Sequence, residues 1–377
     1  MAPMISFGEH TELHPGARVI LGMSGGVDSS VAARLLMDAG LEVIGVTCVF
    51  INDEASQKAV EDARCVAEML GIRHEVKDCT ATFSCQVVDA FVSEYAAGRT
   101  PSPCVVCNKT CKIPALIEAA NSLGCDFVAT GHYANVVRRR NRFAIAHAAY
   151  APKDQSYMLA MLSQDQLKRL LLPLGPLEGG KAAVRALASE WGLPVASKSD
   201  SQDICFIHGS HLDFLANRGL VGEPGDIVSL DGEVLGHHEG LHRYTIGQRK
   251  GLNIGGAPEP YYVVEKRPSA NELVVAFASE AMIGSACVTH MVWQSVAPEE
   301  IVRCCDEQGL FPCSVKLRYR QAAVPCRLVL GAPGSVRVVL EEPQATTAPG
   351  QYAVFYDEGA VIGGGVIAQT ARASAAI

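Results

Sequence analysis

Residues 17–40 read ARVILGMSGGVDSSVAARLLMDAG, and this stretch decides the fold of the N-terminal half. It opens as a short apolar run typical of a buried strand, passes through a loop of glycine and serine, and continues as a helix that Gly40 ends. The alternation recurs in LEVIGVTCVF (41–50), QKAVEDARCVAEMLG (57–71) and CDFVATGHYA (125–134). Alternating strands and helices predict a doubly wound α/β fold with a parallel sheet.

The pattern of strand and turn residues changes twice in the rest of the chain. GEPGDIVSLDGEVLGHHEG (222–240) and PYYVVEKRPSANELVVAF (260–277) read as short strands separated by Gly, Pro and Asn turns. CSVKLRYR (313–320), VPCRLVLG (324–331) and SVRVVLEEP (335–343) predict a compact β-barrel. We therefore divide the chain into a catalytic domain over 1–215, a small β-rich central domain over 216–283 and a C-terminal β-barrel over 284–377.

Composition excludes several classes of protein. The chain has 377 residues, 19% of them charged, which is ordinary for globular domains with substantial cores. No apolar run is long enough for a membrane span, and the first residues do not resemble a signal peptide. Fourteen cysteines scattered over so long a chain indicate a reducing, cytoplasmic location rather than a disulfide scaffold. A net charge of −8 means that any RNA must be attracted by local basic patches.

The loop SGGVDSS (24–30) is the sharpest local signal. Its glycines let the backbone approach phosphates closely, and the following helix start offers N–H donors and a favourable dipole. It lacks the lysine of the GxxxxGK[ST] loop. It resembles instead the SGGxDS pyrophosphate loop of N-type ATP pyrophosphatases, which implies ATP cleaved to AMP and pyrophosphate. By that resemblance Asp28 helps to hold Mg²⁺ on the phosphates.

Three cysteines stand apart from the others, which we interpret as buried small side chains. Cys104 and Cys107 form a C-x-x-C in GRTPSPCVVCNK, and Cys205 lies in SDSQDICFIHG. Proline and Ser/Asp content predicts loops for both segments, with a helix beginning after Cys107. A helix start and the neighbouring Lys109 would lower the pKa of Cys107 and favour its thiolate.

The blocks LGMSGGVDSSVAA, AGRTPSPCVVCNK, ATGHYA, KDQSY, SQDICFI, HRYTIGQRKGLNIGG, YYVVEK, VKLRYRQ and APGQYAVFY resemble, in order, those of tRNA-specific 2-thiouridylases. The resemblance covers nearly the whole chain. It implies that O2 of uridine 34 in the tRNA anticodon is adenylated by ATP and that sulfur is transferred to C2. Cys205 would carry a persulfide received from a sulfur-donor protein, and Cys107 would be the nucleophile that closes a transient disulfide with it.

The resemblance also assigns binding residues. For ATP they are Gly22, Met23, Ser24, Gly25, Gly26, Val27, Asp28, Ser29, Cys48 and Gly131, the last two flanking adenine. For tRNA they are Ser102, Pro103, Cys104, His132, Lys153, Asp154, Gln155, Arg318, Tyr319 and Gln351. Arg318 and Tyr319 offer a guanidinium and a stacking ring, which suit an unstacked anticodon base.

Cys104 departs from the family pattern, because many members carry aspartate there. Cys104, Cys107 and Cys205 could instead hold a [4Fe-4S] cluster by three irons, leaving the fourth iron open for hydrosulfide. The persulfide and cluster routes both stay open from the sequence. A zinc site is a further alternative, although the sequence shows no obvious fourth ligand and only His208 lies nearby.

Two other functions compete with tRNA thiolation. One is a ligase with the same loop that adenylates a small metabolite, which the C-x-x-C and the C-terminal barrel disfavour. The other is an RNA-binding module without catalysis, which the intact SGGVDSS loop and the acidic charge disfavour.

Overall fold

The computed structural model describes residues 13–139, 141–198 and 204–373. The first domain is built on a five-stranded parallel sheet in the order β3-β2-β1-β4-β7. Its strands are β1 (Arg18–Gly22), β2 (Glu42–Val49), β3 (Arg73–Asp78), β4 (Phe127–Ala129) and β7 (Leu170–Leu171). The order reverses at β1, which leads directly into the phosphate loop, and ligands bind at such switch points of open α/β sheets.

The first domain has nine helices in its described residues, and some of them cover the two faces of the sheet with apolar side chains. They are α1 (Val27–Asp38), α2 (Glu54–Leu70), α3 (Thr80–Phe83), α4 (Asp89–Ala96), α5 (Pro103–Cys107), α6 (Ile113–Leu123), α7 (Gln164–Arg169), α8 (Gly180–Glu190) and α9 (His211–Ala216). Two wider turns of π-helix, Ser84–Val88 and Asn108–Lys112, interrupt the helical runs. The core on one face contains Val19, Leu21 and Val31, all fully buried.

The central domain is a four-stranded sheet in the order β10-β11-β8-β9. Its strands are β8 (Gly225–Val228), β9 (Val234–His238), β10 (Tyr262–Arg267) and β11 (Glu272–Ala276). A small core of its own contains Ile227, Val263 and Leu273. This confirms a separate β-rich unit in the middle of the chain.

The C-terminal strands close into a six-stranded barrel, in which the first strand pairs with the last. They are β12 (Met282–Trp293), β13 (Phe311–Lys316), β14 (Val324–Leu330), β15 (Val336–Ala345), β16 (Tyr352–Asp357) and β17 (Ala360–Arg372), with α10 (Pro298–Cys304) after β12. Closure removes the exposed sheet edges. The predicted order of parallel sheet, β-rich middle and β-barrel is thus confirmed.

A hairpin of the first domain joins the barrel sheet. It consists of β5 (Asn135–Arg139) and β6 (Arg142–Ala146), and Ala146 pairs with Ala360 of β17. Arg142 donates to the carbonyl oxygens of Trp293 and Gln294 at 2.9 and 2.7 Å. These bonds hold the barrel against the catalytic domain.

Among the described residues no helix has the length and apolarity needed to cross a bilayer.

Candidate active site

The phosphate loop connects β1 to α1 and is held open by its own hydrogen bonds. The Ser24 amide donates to Ser29 Oγ at 3.2 Å, and Ser29 Oγ donates to the Gly26 carbonyl at 3.1 Å. Gly26 is the N-cap of α1 and gives it no side-chain cap, so the first amides of the helix lack side-chain acceptors. Such a helix start suits an anion.

Two positions near the loop require glycine because backbone atoms of other segments approach them closely. Gly25 has φ +64°, and a Cβ there would lie 2.3 Å from the carbonyl oxygen of Ala59. A Cβ on Gly131 would lie 3.0 Å from the Ser29 amide nitrogen, so Gly131 of the turn after β4 lies against the loop. Met23 and Val27 turn buried side chains into the core, and Gly22 ends β1, so these three present backbone to the site.

Asp28, in the first turn of α1, receives hydrogen bonds on both carboxylate oxygens. Tyr133 Oη donates to Oδ1 and Lys181 Nζ donates to Oδ2, each at 2.6 Å. Lys198 Nζ reaches the Gly25 carbonyl at 2.9 Å and Asp62 at 2.6 Å. Sequence reasoning missed Tyr133, Lys181 and Lys198, because only the fold brings these distant residues to the loop.

Cys48 lies at the carboxyl end of β2, the edge at which the loop also lies. The pKa of Cys48 is raised well above its usual range. A hydrogen bond with Cys79 is the largest cause, and burial is the second. Cys79 follows the end of β3 and donates its amide to the Val49 carbonyl at 2.8 Å. Contact of Cys48 with adenine stays a prediction.

The C-x-x-C lies on a helix, and the expectation of a loop there was wrong. Pro103 occupies the first turn of α5, where a proline needs no amide partner, so the helix begins before Cys104 and runs through Cys107. Cys107 is buried, whereas Cys104 and Cys205 are accessible to solvent. Cys205 follows residues 199–203, the Ser/Asp-rich entry, which lie outside the described residues.

Aromatic packing brings Cys205 to the other two cysteines. Phe206, buried beside it, lies edge-on to Phe91 with ring centroids 5.2 Å apart, and belongs to the same apolar cluster as Cys107. The residue is accessible at the surface, but the protein atoms around its thiol exclude part of the water. This desolvation, followed by the charges of Cys107 and Cys104, raises the pKa of Cys205 to about 11.

The expected low pKa of Cys107 was also wrong. Burial is the largest influence and raises the pKa of Cys107, while the charge of Lys112 opposes it only in part. The cation that acts on Cys107 is Lys112 and not the expected Lys109, whose own pKa is lowered by burial. Both cysteines of the predicted reaction rest as thiols at neutral pH.

The described residues do not fit an iron–sulfur cluster. No group of three or more His, Cys, Asp or Glu side chains within 13–139, 141–198 and 204–373 is arranged to hold a metal ion. His208, the nearest candidate for a fourth ligand, pairs with Asp53 at 3.1 Å. A single Mg²⁺ on ATP is a different case, because one carboxylate plus phosphate oxygens and waters suffices. Asp28 is the carboxylate of the loop, and its contact with Mg²⁺ stays a prediction.

Residues from the barrel reach the cysteines across the domain junction. Burial and the charge of Asp154 raise the pKa of Tyr319, and Cys104 adds a smaller effect in the same direction. Tyr319 of the barrel therefore lies near the Cys104 thiol. Neighbouring Arg318 is half-buried, and its Nη2 has no hydrogen-bond partner within the described parts of the chain. Gln351 donates to the Thr100 carbonyl at 2.9 Å and so holds the loop that leads to Ser102, the N-cap of α5.

The remaining predicted tRNA residues differ in accessibility. Lys153 is exposed. Asp154 is buried and accepts from Ser156 Oγ at 2.7 Å and from Lys316 at 3.3 Å. Burial alone would raise its pKa, but bonds from His147 and Ser156 outweigh burial and lower the pKa to about 2. Gln155 accepts from the Tyr133 amide at 2.9 Å. The tRNA contacts of this block stay predictions.

His132 follows Gly131 and bonds through Nδ1 to Thr130 Oγ1 at 2.8 Å. Burial, with a smaller effect of Lys112, lowers the pKa of His132 to about 3. The imidazole is neutral at physiological pH and can bind RNA only as a neutral donor or acceptor.

A lysine-free phosphate loop at the switch point of a parallel sheet, with a C-x-x-C on a helix of the same domain, is typical of ATP-binding enzymes of the PP-loop class. Family models match in the order of the domains: tRNA methyl transferase HUP domain (17–209), tRNA methyl transferase PRC-barrel domain (212–277) and aminomethyltransferase beta-barrel domain (285–367).

Relatives narrow the class. The tRNA-specific 2-thiouridylase MnmA of Nostoc sp. is 42% identical over 94% of this chain and 99% of its own. That of Trichlorobacter lovleyi is 41% identical over 93% and 97%. The chain belongs to the tRNA-specific 2-thiouridylase family.

A solved structure, the U34-tRNA thiolase NcsA from Methanococcus maripaludis with its [4Fe-4S] cluster, also aligns. It is 16% identical, with a TM-score of 0.33, over 55% of this chain and 65% of that chain. A likeness at this level carries no argument about the site.

Proposed function

We propose that the protein catalyses ATP-dependent 2-thiolation of uridine 34 in tRNA, giving 2-thiouridine, AMP and pyrophosphate. The observation that carries the proposal is that Phe206, the residue next to Cys205, packs in the same apolar cluster as Cys107 of the C-x-x-C helix. The cysteines lie on the catalytic domain that holds the phosphate loop. A base held by the barrel would thus meet both an adenylating loop and a sulfur carrier.

The first step is adenylation. Uridine O2 attacks the α-phosphorus of ATP, the new O–P bond forms, and the bond to the β-phosphate oxygen breaks with its electron pair leaving on pyrophosphate. Amides at the start of α1 and the hydroxyls of Ser24 and Ser29 stabilise the phosphate oxygens. Mg²⁺ held with the help of Asp28 neutralises their charge when it is bound.

The second step is sulfur transfer. A donor protein, here proposed as a cysteine desulfurase or sulfur-relay protein, loads Cys205, whose exposure allows it to be reached. The terminal sulfur of the Cys205 persulfide attacks C2 and AMP leaves. Cys107, a thiol at rest, then gives up its proton and attacks Cys205 Sγ. The bond between Cys205 Sγ and the sulfur on the base breaks, its electron pair and the proton go to the departing 2-thiouridine, and a Cys107–Cys205 disulfide remains. A thiol reductant restores both cysteines for the next turnover.

We prefer the persulfide route to a cluster because the described cysteines are not arranged as metal ligands. Anaerobic purification tests this choice. A colourless protein that thiolates tRNA with a persulfide donor supports it, whereas a broad brown absorbance lost in Cys104→Ala, Cys107→Ala and Cys205→Ala contradicts it.

The cytoplasm, where tRNA is available, is the proposed location.

The function is tested by supplying ATP, Mg²⁺, tRNA and a sulfur donor, and by measuring pyrophosphate and 2-thiouridine. We expect Asp28→Ala to abolish pyrophosphate release with an unchanged circular dichroism spectrum. Asp38→Ala is the matched control, since Asp38 ends the same helix and pairs with Arg34 at its surface. Near-normal ATP cleavage by Asp28→Ala with tRNA present would contradict the proposal. Cleavage that needs a small metabolite rather than tRNA would favour a ligase.

A further inference from the structure

Lys181 is paired with the phosphate loop although it lies far from it in sequence. Its Nζ donates to Asp28 Oδ2 at 2.6 Å, and the two side chains are only 16% and 30% exposed. Lys181 stands in the first turn of α8, and α8 packs along α1. The fold thus brings a half-enclosed ammonium group to the first turn of the phosphate-binding helix.

The start of α8 is shaped to allow this approach. Gly179 and Gly180 both have positive φ, and a Cβ on Gly180 would lie 2.2 Å from the ring of Tyr150. Only glycine fits against that ring, so the helix begins close to the catalytic domain surface. Lys181 follows at once and reaches Asp28.

The charges around the loop favour an anion. Neither α1 nor α8 has a side-chain N-cap, so the amides of two neighbouring helix starts remain available as donors. A lysine in the first turn of a helix is unfavourable, because the helix dipole is positive there. Lys198 adds a second ammonium, bonded to the Gly25 carbonyl and paired with Asp62. Both ammonium groups are thus held at the loop by carboxylates, where a polyanion bound between the two helix starts can replace Asp28 as the partner of Lys181.

We propose that Lys181 is the phosphate-binding lysine that the loop sequence lacks, and that its ammonium transfers from Asp28 to the pyrophosphate portion of ATP. The inference rests on the proposed function, in which ATP is cleaved between the α- and β-phosphates. As that bond breaks, its electron pair passes to pyrophosphate. The ammonium keeps its protons throughout and stabilises the growing charge. Asp28, released from the ion pair, is then available to Mg²⁺.

Calorimetric binding of inorganic pyrophosphate, ATP and AMP, without tRNA or Mg²⁺, tests this role. We expect Lys181→Ala to weaken pyrophosphate and ATP binding about tenfold or more, the usual effect of losing a charge-assisted hydrogen bond. AMP affinity should stay within about twofold, and Lys181→Arg should recover part of the loss. Lys58→Ala is the control, because Lys58 is ion-paired with Asp62 but 66% exposed.

Asp28→Asn separates direct contact from positioning. If Lys181 only holds Asp28 in place, Lys181→Ala will not weaken pyrophosphate binding further in the Asp28→Asn protein, and the inference is overturned. If Lys181 binds phosphate, the loss of about tenfold persists there. Wild-type protein that binds neither ATP nor pyrophosphate would refute the proposed function itself. Thermal unfolding of each variant confirms that it is folded.

Discussion

The Tyr133 hydroxyl donates to Asp28 Oδ1 at 2.6 Å and joins the turn after β4 to the first turn of α1. Tyr133 is buried, and its amide is held by the side-chain oxygen of Gln155. Two hydrogen bonds therefore connect a predicted tRNA-contacting residue to the carboxylate predicted to hold Mg²⁺. This connection offers a route by which tRNA binding can influence ATP cleavage.

Tyr133→Phe should weaken that connection without unfolding the protein. The ring remains packed, but Asp28 loses one donor, and a bond to a charged group contributes about 1.5–3 kcal/mol. We expect the stimulation of ATP cleavage by tRNA to fall about tenfold, with the melting temperature nearly unchanged. Tyr150→Phe is the comparison, since the Tyr150 ring packs on Gly180 and its hydroxyl is not one of the two donors described for Asp28. Stimulation equal to wild type in Tyr133→Phe would show that the hydroxyl is dispensable.

Arg318→Ala should lose tRNA affinity and keep ATP affinity. The Nη2 of half-buried Arg318 has no hydrogen-bond partner within the described residues, and an RNA acceptor that reaches it would satisfy this donor. We expect about a tenfold loss in filter binding and a salt dependence reduced by about one counterion if the acceptor is a phosphate. Arg320→Ala, an exposed neighbour, should change affinity by less than about twofold. Equal effects of the two substitutions would contradict a specific role for Arg318.

The reactivity of Cys205 should rise steeply with pH. The pKa of Cys205 is raised to about 11. As long as the pH is lower than this pKa, the thiolate fraction grows about tenfold for each unit by which the pH is increased. Alkylation of the Cys205 peptide, followed by mass spectrometry, should show this increase between about pH 7.5 and pH 9.5. A rate that levels off near pH 8.5, the pKa of an ordinary cysteine, would contradict the raised value.

The sequence was informative where chemistry depends on local spacing. The strand, the Gly/Ser loop and the helix of residues 17–40 are contiguous. Their conformation depends mainly on the residues of that stretch itself, so it can be predicted from the local sequence. The barrel likewise followed from alternating strands and turns. Loop–helix assignments failed at Cys104, because Pro101 and Pro103 were taken as loop signals although Pro103 occupies a first helical turn, where proline is favoured.

Properties that depend on tertiary packing could not be predicted. The pKa of Cys107 is governed by the apolar cluster that buries it, and that cluster is assembled from segments far apart in sequence. The same holds for Lys181 and Tyr133, which reach Asp28 only through the packing of α8 and the β4 turn. The replacement of aspartate by Cys104 has no structural explanation beyond its proximity to Tyr319.

The central claim is that Cys205 carries the sulfur and Cys107 releases it, and single-turnover tRNA thiolation tests it most directly. Wild type, Cys104→Ala, Cys107→Ala and Cys205→Ala are each treated with a persulfide donor, freed of the excess and mixed with ATP, Mg²⁺ and tRNA, and 2-thiouridine is quantified by mass spectrometry. We predict none from Cys107→Ala and Cys205→Ala, and substantial product from Cys104→Ala. Product from Cys205→Ala, or a complete loss in Cys104→Ala together with loss of bound iron, would contradict the account.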